Sequence, residues 1–178
     1  MVQDRAMTWT APEVVRPTEP KVADERTMLD GWLEWQRQTL LGKCTGLTGE
    51  QLAERAVSPS TLSLLGLVRH MAEVERWWFR RRYAAEEIGT LFCPDSSPDG
   101  DFDDVDPTRA EADFATYAAE CEAARAAAAD GSLEDVCPHP RWGEVSLRWI
   151  YIHMIEEYAR HNGHADFLRE RIDGVTGV

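Results

Sequence analysis

A chain of 178 residues with a hydrophobic share of 43% and seven tryptophans is long enough to bury one sizeable core, and a single domain is expected. Its formal charge of −13 opposes nonspecific contact with nucleic acid or with an anionic membrane, since the long-range field repels both. No apolar run of about 18 residues exists, so no membrane-spanning helix is expected.

The first stretch, MVQDRAMTWTAPEVVRPTEP, has no apolar secretory core. Its prolines and early charges read as a flexible lead-in over residues 1–21, followed by one domain over 22–178. Cys44, Cys93, Cys121 and Cys137 are scattered without CxxC spacing, which points to reduced thiols and a cytoplasmic setting. From Asp24 to Leu41, the positions Met28, Leu29, Trp32, Leu33, Trp35, Leu40 and Leu41 recur at helical spacing. Gly42 and Gly46 end that helix, and Thr48 caps a short turn. Ser58-Pro59-Ser60 stops the chain and restarts it, with Ser60 as the expected cap of a second long helix through Glu87. Leu67, His70, Val74 and Trp77 share one face of this helix, so His70 lies in an apolar stripe.

An acidic, turn-rich loop follows, and Asp106-Pro107 predicts the start of a third helix reaching Gly131. A connector containing a short extended piece leads to the last helix, capped by Ser146 and stopped at Gly174. Four long helices without a strand-rich segment predict an all-α four-helix bundle. Trp32, Trp35, Trp77, Trp78 and Trp149 are more large aromatics than one small bundle interior readily holds, which predicts a homodimer.

The last helix carries His153, Glu157, His161 and His164 along one face. Glu157 and His161, at i and i+4, can point into one space as two metal donors must; the plain alternative is a solvent-facing pair. His70, from a different helix, would complete a set of two imidazoles and one carboxylate. Such a set suits zinc first, with nickel, iron(II) or manganese as further candidates, and leaves coordination positions open. A histidine hydrogen-bonded in the core is the plain alternative for His70.

The stretches LSLLGLVRHMAEVERWWF and HMIEEYARHNGHADFLRERIDG resemble the DinB-like superfamily, in the branch that includes proteins labelled mini-circle proteins. The chain is also similar to relatives of mycothiol-dependent maleylpyruvate isomerase, where one metal ligand is glutamate rather than histidine. The resemblance implies a four-helix bundle of up-down-down-up order with His70, Glu157 and His161 as ligands of a divalent metal. It implies a metal-dependent enzyme, a thiol S-transferase or isomerase acting on a small electrophile, with mycothiol or another small thiol as cosubstrate. A metal-hydroxide hydrolase and a non-catalytic metal-binding module, such as a stress or mobile-element accessory protein, are the alternatives. By the same alignment His164 takes a position that orients a ligand or substrate, and His153 is not a ligand. Arg160 could hold a substrate carboxylate, against the plainer pairing with Glu156.

Three further patterns are weaker. Asp95, Ser97, Asp99, Asp103 and Asp106, with Gly100 and Phe102 between them, approach a calcium-loop template, but Pro98 and a final Asp favour a solvated acidic loop. RWWFRRRY, residues 76–83, mixes basic and aromatic residues as single-strand binders do. Its place at a helix C-terminus explains the arginines better. Cys137-Pro138-His139 could offer two metal donors.

Overall fold

Asp24 opens the first helix by accepting the Thr27 amide at 3.0 Å, and a computed structural model describes the chain from residue 8 to 177. Helix α1 runs Glu25–Cys44 and α2 runs Gly49–Leu52, closed by a capping box between Thr48 and Gln51. Helix α3 spans Leu64–Glu75. Its cap is Ser63, whose Oγ accepts the Gly66 amide at 3.1 Å, and not Ser60 as the sequence suggested; Ser60 closes a local turn onto Leu62. From Arg76 to Tyr83 the helix continues with π-type hydrogen bonding, so the Ala84 amide reaches back to the Phe79 carbonyl at 3.0 Å.

The acidic connector contains a short helix α4, Gly100–Asp103, and a 3-10 turn, Pro107–Arg109, capped by Asp106. Helix α5 is Ala110–Ala128. The second connector folds into a hairpin, β1 (Val136–His139) antiparallel to β2 (Gly143–Ser146), with Cys137 opposite Val145. Helix α6, Leu147–Asp173, is capped by Ser146 and stopped by Gly174 at φ 78°, a left-handed position suited to glycine. The fold is therefore mainly helical with one small two-stranded sheet.

Helix α1 packs chiefly on α6, and α3 on α5. Leu33, Leu40, Leu67, Met71, Ile150 and Met154 fill the space between them. A polar chain crosses this apolar core. Arg37 of α1 forks onto Glu75 of α3 at 2.7 and 2.6 Å, and the Tyr158 hydroxyl of α6 donates to Glu75 at 2.8 Å. Tyr117 of α5 meets the Tyr158 hydroxyl at 3.0 Å. Every long helix thus contributes one member, and all four side chains are buried.

Residues 1–7 of the expected lead-in lie outside the described residues, as does Val178. Farther along that segment, Trp9 packs edge-on against Phe114 at 5.4 Å, and Ala11 exchanges backbone hydrogen bonds with the 46–47 turn. Of the tryptophans that suggested a dimer, Trp78 is buried and Trp32, Trp35, Trp77 and Trp149 are half-buried. Trp35 lies between Trp32 and the Arg16 guanidinium, and Trp77 carries Arg81 and Arg82. Trp78 and Trp149 join a stack described below.

Close approach fixes Gly49. A Cβ there would stand 2.2 Å from the Pro107 carbonyl oxygen, a backbone atom with little room to shift. Gly49→Ala is expected to cost about 1–3 kcal/mol in urea unfolding. Gly163→Ala, where a Cβ meets open space within α6, should instead gain up to ~1 kcal/mol.

Candidate metal centre

Two helices bring the donors together. His70 sits on α3 one residue after Arg69, and Glu157 and His161 lie one turn apart on α6. Donor atoms of the three side chains all fall within 4.8 Å of one another. Among the described residues, no other group of three or more His, Cys, Asp or Glu side chains forms such a cluster. His161 Nε2 and Glu157 Oε2 are 3.4 Å apart. Two donors each about 2.1 Å from one tetrahedral ion stand about 3.4 Å apart, so this pair has the spacing a shared ion needs.

Each imidazole has a partner on its other face. His70 Nδ1 contacts Asp101 Oδ2 at 2.8 Å. A carboxylate only accepts, so Nδ1 is the donor in this contact and Nε2 is the nitrogen left for a metal. His161 Nδ1 faces His164 Nδ1 at 3.4 Å. Burial, reinforced by the neighbouring His70, His164 and Arg160, pushes the His161 pKa down to about 3. That imidazole is neutral at physiological pH, the form that can donate to a metal.

Sequence reasoning missed Asp101. It is one of six aspartates between residues 95 and 106, and nothing local distinguishes it from the five others. Folding does. Arg69 is buried beside Asp113 at 3.1 Å and donates to the carbonyls of Gly100 and Asp101 at 2.8 and 3.0 Å. Adjacent residues of α3 therefore grip α4 twice, Arg69 by its backbone and His70 by the Asp101 side chain. The expectation of a wholly solvated acidic loop fails here, because Asp101 is buried. Residues of the calcium-like pattern serve the loop itself: Asp106 caps the 3-10 turn, and Ser97 donates to Asp104 at 2.7 Å. Asp101→Asn keeps an acceptor for His70 but removes its charge. Affinity for zinc is expected to fall by roughly 10–100-fold, read by competition with a chromogenic chelator, while the unfolding midpoint stays near the parent's.

The other singled-out residues separate. His164 stays beside His161. Arg160 turns to Glu156 at 2.5 Å and lies 3.9 Å from Glu157. His153 Nε2 is 3.8 Å from Glu157 Oε1, with its ring stacked on Trp149 at 4.8 Å. His139 lies near-parallel to both Trp78 and the exposed Trp142, at 5.4 and 4.1 Å, and among the described residues the Cys137–His139 pair gathers no third donor. Of the basic run, Arg76 and Arg80 both bind the buried Glu120, at 2.6 and 2.9 Å. A cavity of about 370 Å³ borders the centre through His70 and Asp101 and extends along Val74, Trp77 and Trp78.

Comparison with known proteins was made on the whole chain. A family model described as Mycothiol-S-transferase matches residues 28–174. No curated protein and no solved structure matched. The matched span runs from the first turn of α1 to the glycine that stops α6, and so includes His70, Asp101, Glu157 and His161. The chain belongs to the mycothiol S-transferase family, within the DinB-like superfamily.

Proposed function

We propose that the protein is a divalent-metal-dependent S-transferase joining mycothiol, or a similar small thiol, to a small electrophile. His70, Glu157 and His161 are the metal donors in this reading, and zinc is the first candidate ion. The observation that carries it is an incomplete donor set beside a cavity: three side chains converge, no fourth among the described residues joins them, and His70 faces an open volume. A structural zinc would ordinarily be closed by four protein ligands. The same reading takes α1, α3, α5 and α6 as the bundle in up-down-down-up order.

An ion bound there would lower the pKa of a coordinated thiol, so that thiolate exists at neutral pH. The chain's own residues prepare for this. Asp101 fixes the tautomer of His70, and His164 supports His161 on the side away from the cluster. Glu157 brings one negative charge, which balances part of the ion's. The apolar cavity wall keeps bulk water from the electrophile. In transfer, the sulfur forms a bond to the electrophilic carbon while the bond to the leaving group breaks, and the leaving group departs with the electron pair. The thiol's proton passes to solvent. Arg160 would have to leave Glu156 before it could hold a substrate carboxylate.

The test uses the full chain loaded with zinc, mycothiol and an aryl or alkyl halide, with the thioether followed by mass spectrometry. Product is expected from the loaded protein, and less than a tenth of it after chelation or with His70→Ala. Equal product from His70→Ala would reject the assignment, as would the absence of thioether with every halide tried.

A further inference from the structure

The cavity beside His70 has walls of a definite chemistry. At about 370 Å³ it lies near the small end of ligand sites, which run roughly 300–1,000 Å³. Val74, Trp77 and Trp78 supply one wall, and Pro98 and Phe102 the other. Two of the polar groups that reach it are engaged within the chain. Glu73 accepts the amides of Leu91 and Phe92, at 3.1 and 3.2 Å. Asp101 is held between His70 and the Phe102 amide, at 2.8 and 3.0 Å. The Arg81 guanidinium lies over the Trp77 ring at 4.8 Å, and Asp99 is exposed to solvent. Thr90 is exposed to solvent, and burial pushes the Cys93 thiol up to about 11, so it stays protonated at neutral pH.

We propose that this cavity seats the electrophile, and that the electrophile is a compact, uncharged, apolar molecule of one or two rings, not a carboxylated or polyhydroxylated one. The proposal rests on the reading of the neighbouring cluster as the S-transfer centre. A charged or hydroxyl-rich ligand would lose its water against Val74, Trp77, Trp78, Pro98 and Phe102, and the one cation of the lining, Arg81, is spread over the Trp77 ring. An aromatic skeleton instead meets Trp77, Trp78 and Phe102, which can take it edge-to-face. The highly polar thiol is unsuited to the same walls, so the two substrates need not compete. Cys93, held as a thiol, is a poor nucleophile and leaves the electrophile intact for transfer.

The experiment needs neither metal nor thiol. Fluorobenzene and 4-fluorobenzoate, which share a ring and differ by a carboxylate, are titrated into the metal-free full chain and followed by fluorine NMR line broadening, with uncharged 4-fluoroacetophenone as the control for size. Fluorobenzene should bind saturably, and 4-fluorobenzoate at least tenfold more weakly. Val74→Trp, which fills the cavity, should abolish fluorobenzene binding and leave zinc affinity within twofold. If that variant does not fold, Val74→Met should weaken the probe at least threefold. Preferential binding of 4-fluorobenzoate, or fluorobenzene binding unaffected by the folded Val74 variant, would overturn the proposal. A probe that binds as expected to a chain that never forms thioether would reject only the assignment of the metal centre, so the two failures are told apart.

Discussion

Truncating Arg37 to alanine is expected to destabilise the fold by about 3–5 kcal/mol, measured by urea denaturation at neutral pH. Glu75 has 0% of its surface exposed, and its carboxylate depends on the Arg37 fork and the Tyr158 hydroxyl. Removing the guanidinium leaves a buried anion with one neutral donor. Replacing the pair together, Arg37→Met with Glu75→Leu, should recover most of the loss, because neither charge is then desolvated. The double variant should still fall short of the parent. The Tyr117–Tyr158 hydroxyl pair then has two protons and one mutual hydrogen bond, and a buried hydroxyl proton without an acceptor costs about 1–3 kcal/mol. A loss below 1 kcal/mol in Arg37→Ala would mean that water reaches Glu75.

His161→Ala should lower zinc affinity by more than the roughly 10–100-fold that follows loss of a merely supporting partner. The donors converge from two helices, so removal of one leaves two atoms and a gap. Isothermal titration of the full chain, with His164→Ala alongside, separates the two histidines. His164→Ala should stay within about tenfold of the parent, since its contact with His161 is 3.4 Å and on the far nitrogen. Equal zinc affinity in His161→Ala and the parent would remove it from the donor set. The imidazole would then be a core histidine, its pKa lowered by burial alone.

The convergence of His70, Glu157 and His161 was readable because periodicity carries it. Glu157 and His161 share a helix face by spacing, and His70 stands out as a polar residue in an apolar stripe. Helix ends were readable where one residue marks them, as at the Ser146 cap and the left-handed Gly174. What could not be read depends on contacts far along the chain. Asp101 becomes distinct only once Arg69, 32 residues earlier, grips its carbonyl. The hairpin is similar: Val136–His139 is short and interrupted by a proline, and its order comes from His139 stacking on Trp78 of the α3 continuation. The cavity was also hidden, since one wall is a loop that folds back.

The π-hydrogen-bonded stretch from Arg76 to Tyr83 bears on how chains of this family can differ in length. Such a stretch accommodates one residue more than an α-helix joining the same two ends. It is therefore a place where a single residue can be lost without breaking the helix. Deleting one position among residues 80–82 would let the segment relax to α-helical bonding, with Trp77 and Trp78 still set by the turns before them. The change would fall downstream, where Tyr83 would rotate away from Asp135, which it now holds at 2.9 Å. Related sequences one residue shorter here would keep the cavity wall and lose the tie to the second connector. Aligning them across this point requires a gap inside a helix, where gaps are ordinarily penalised most.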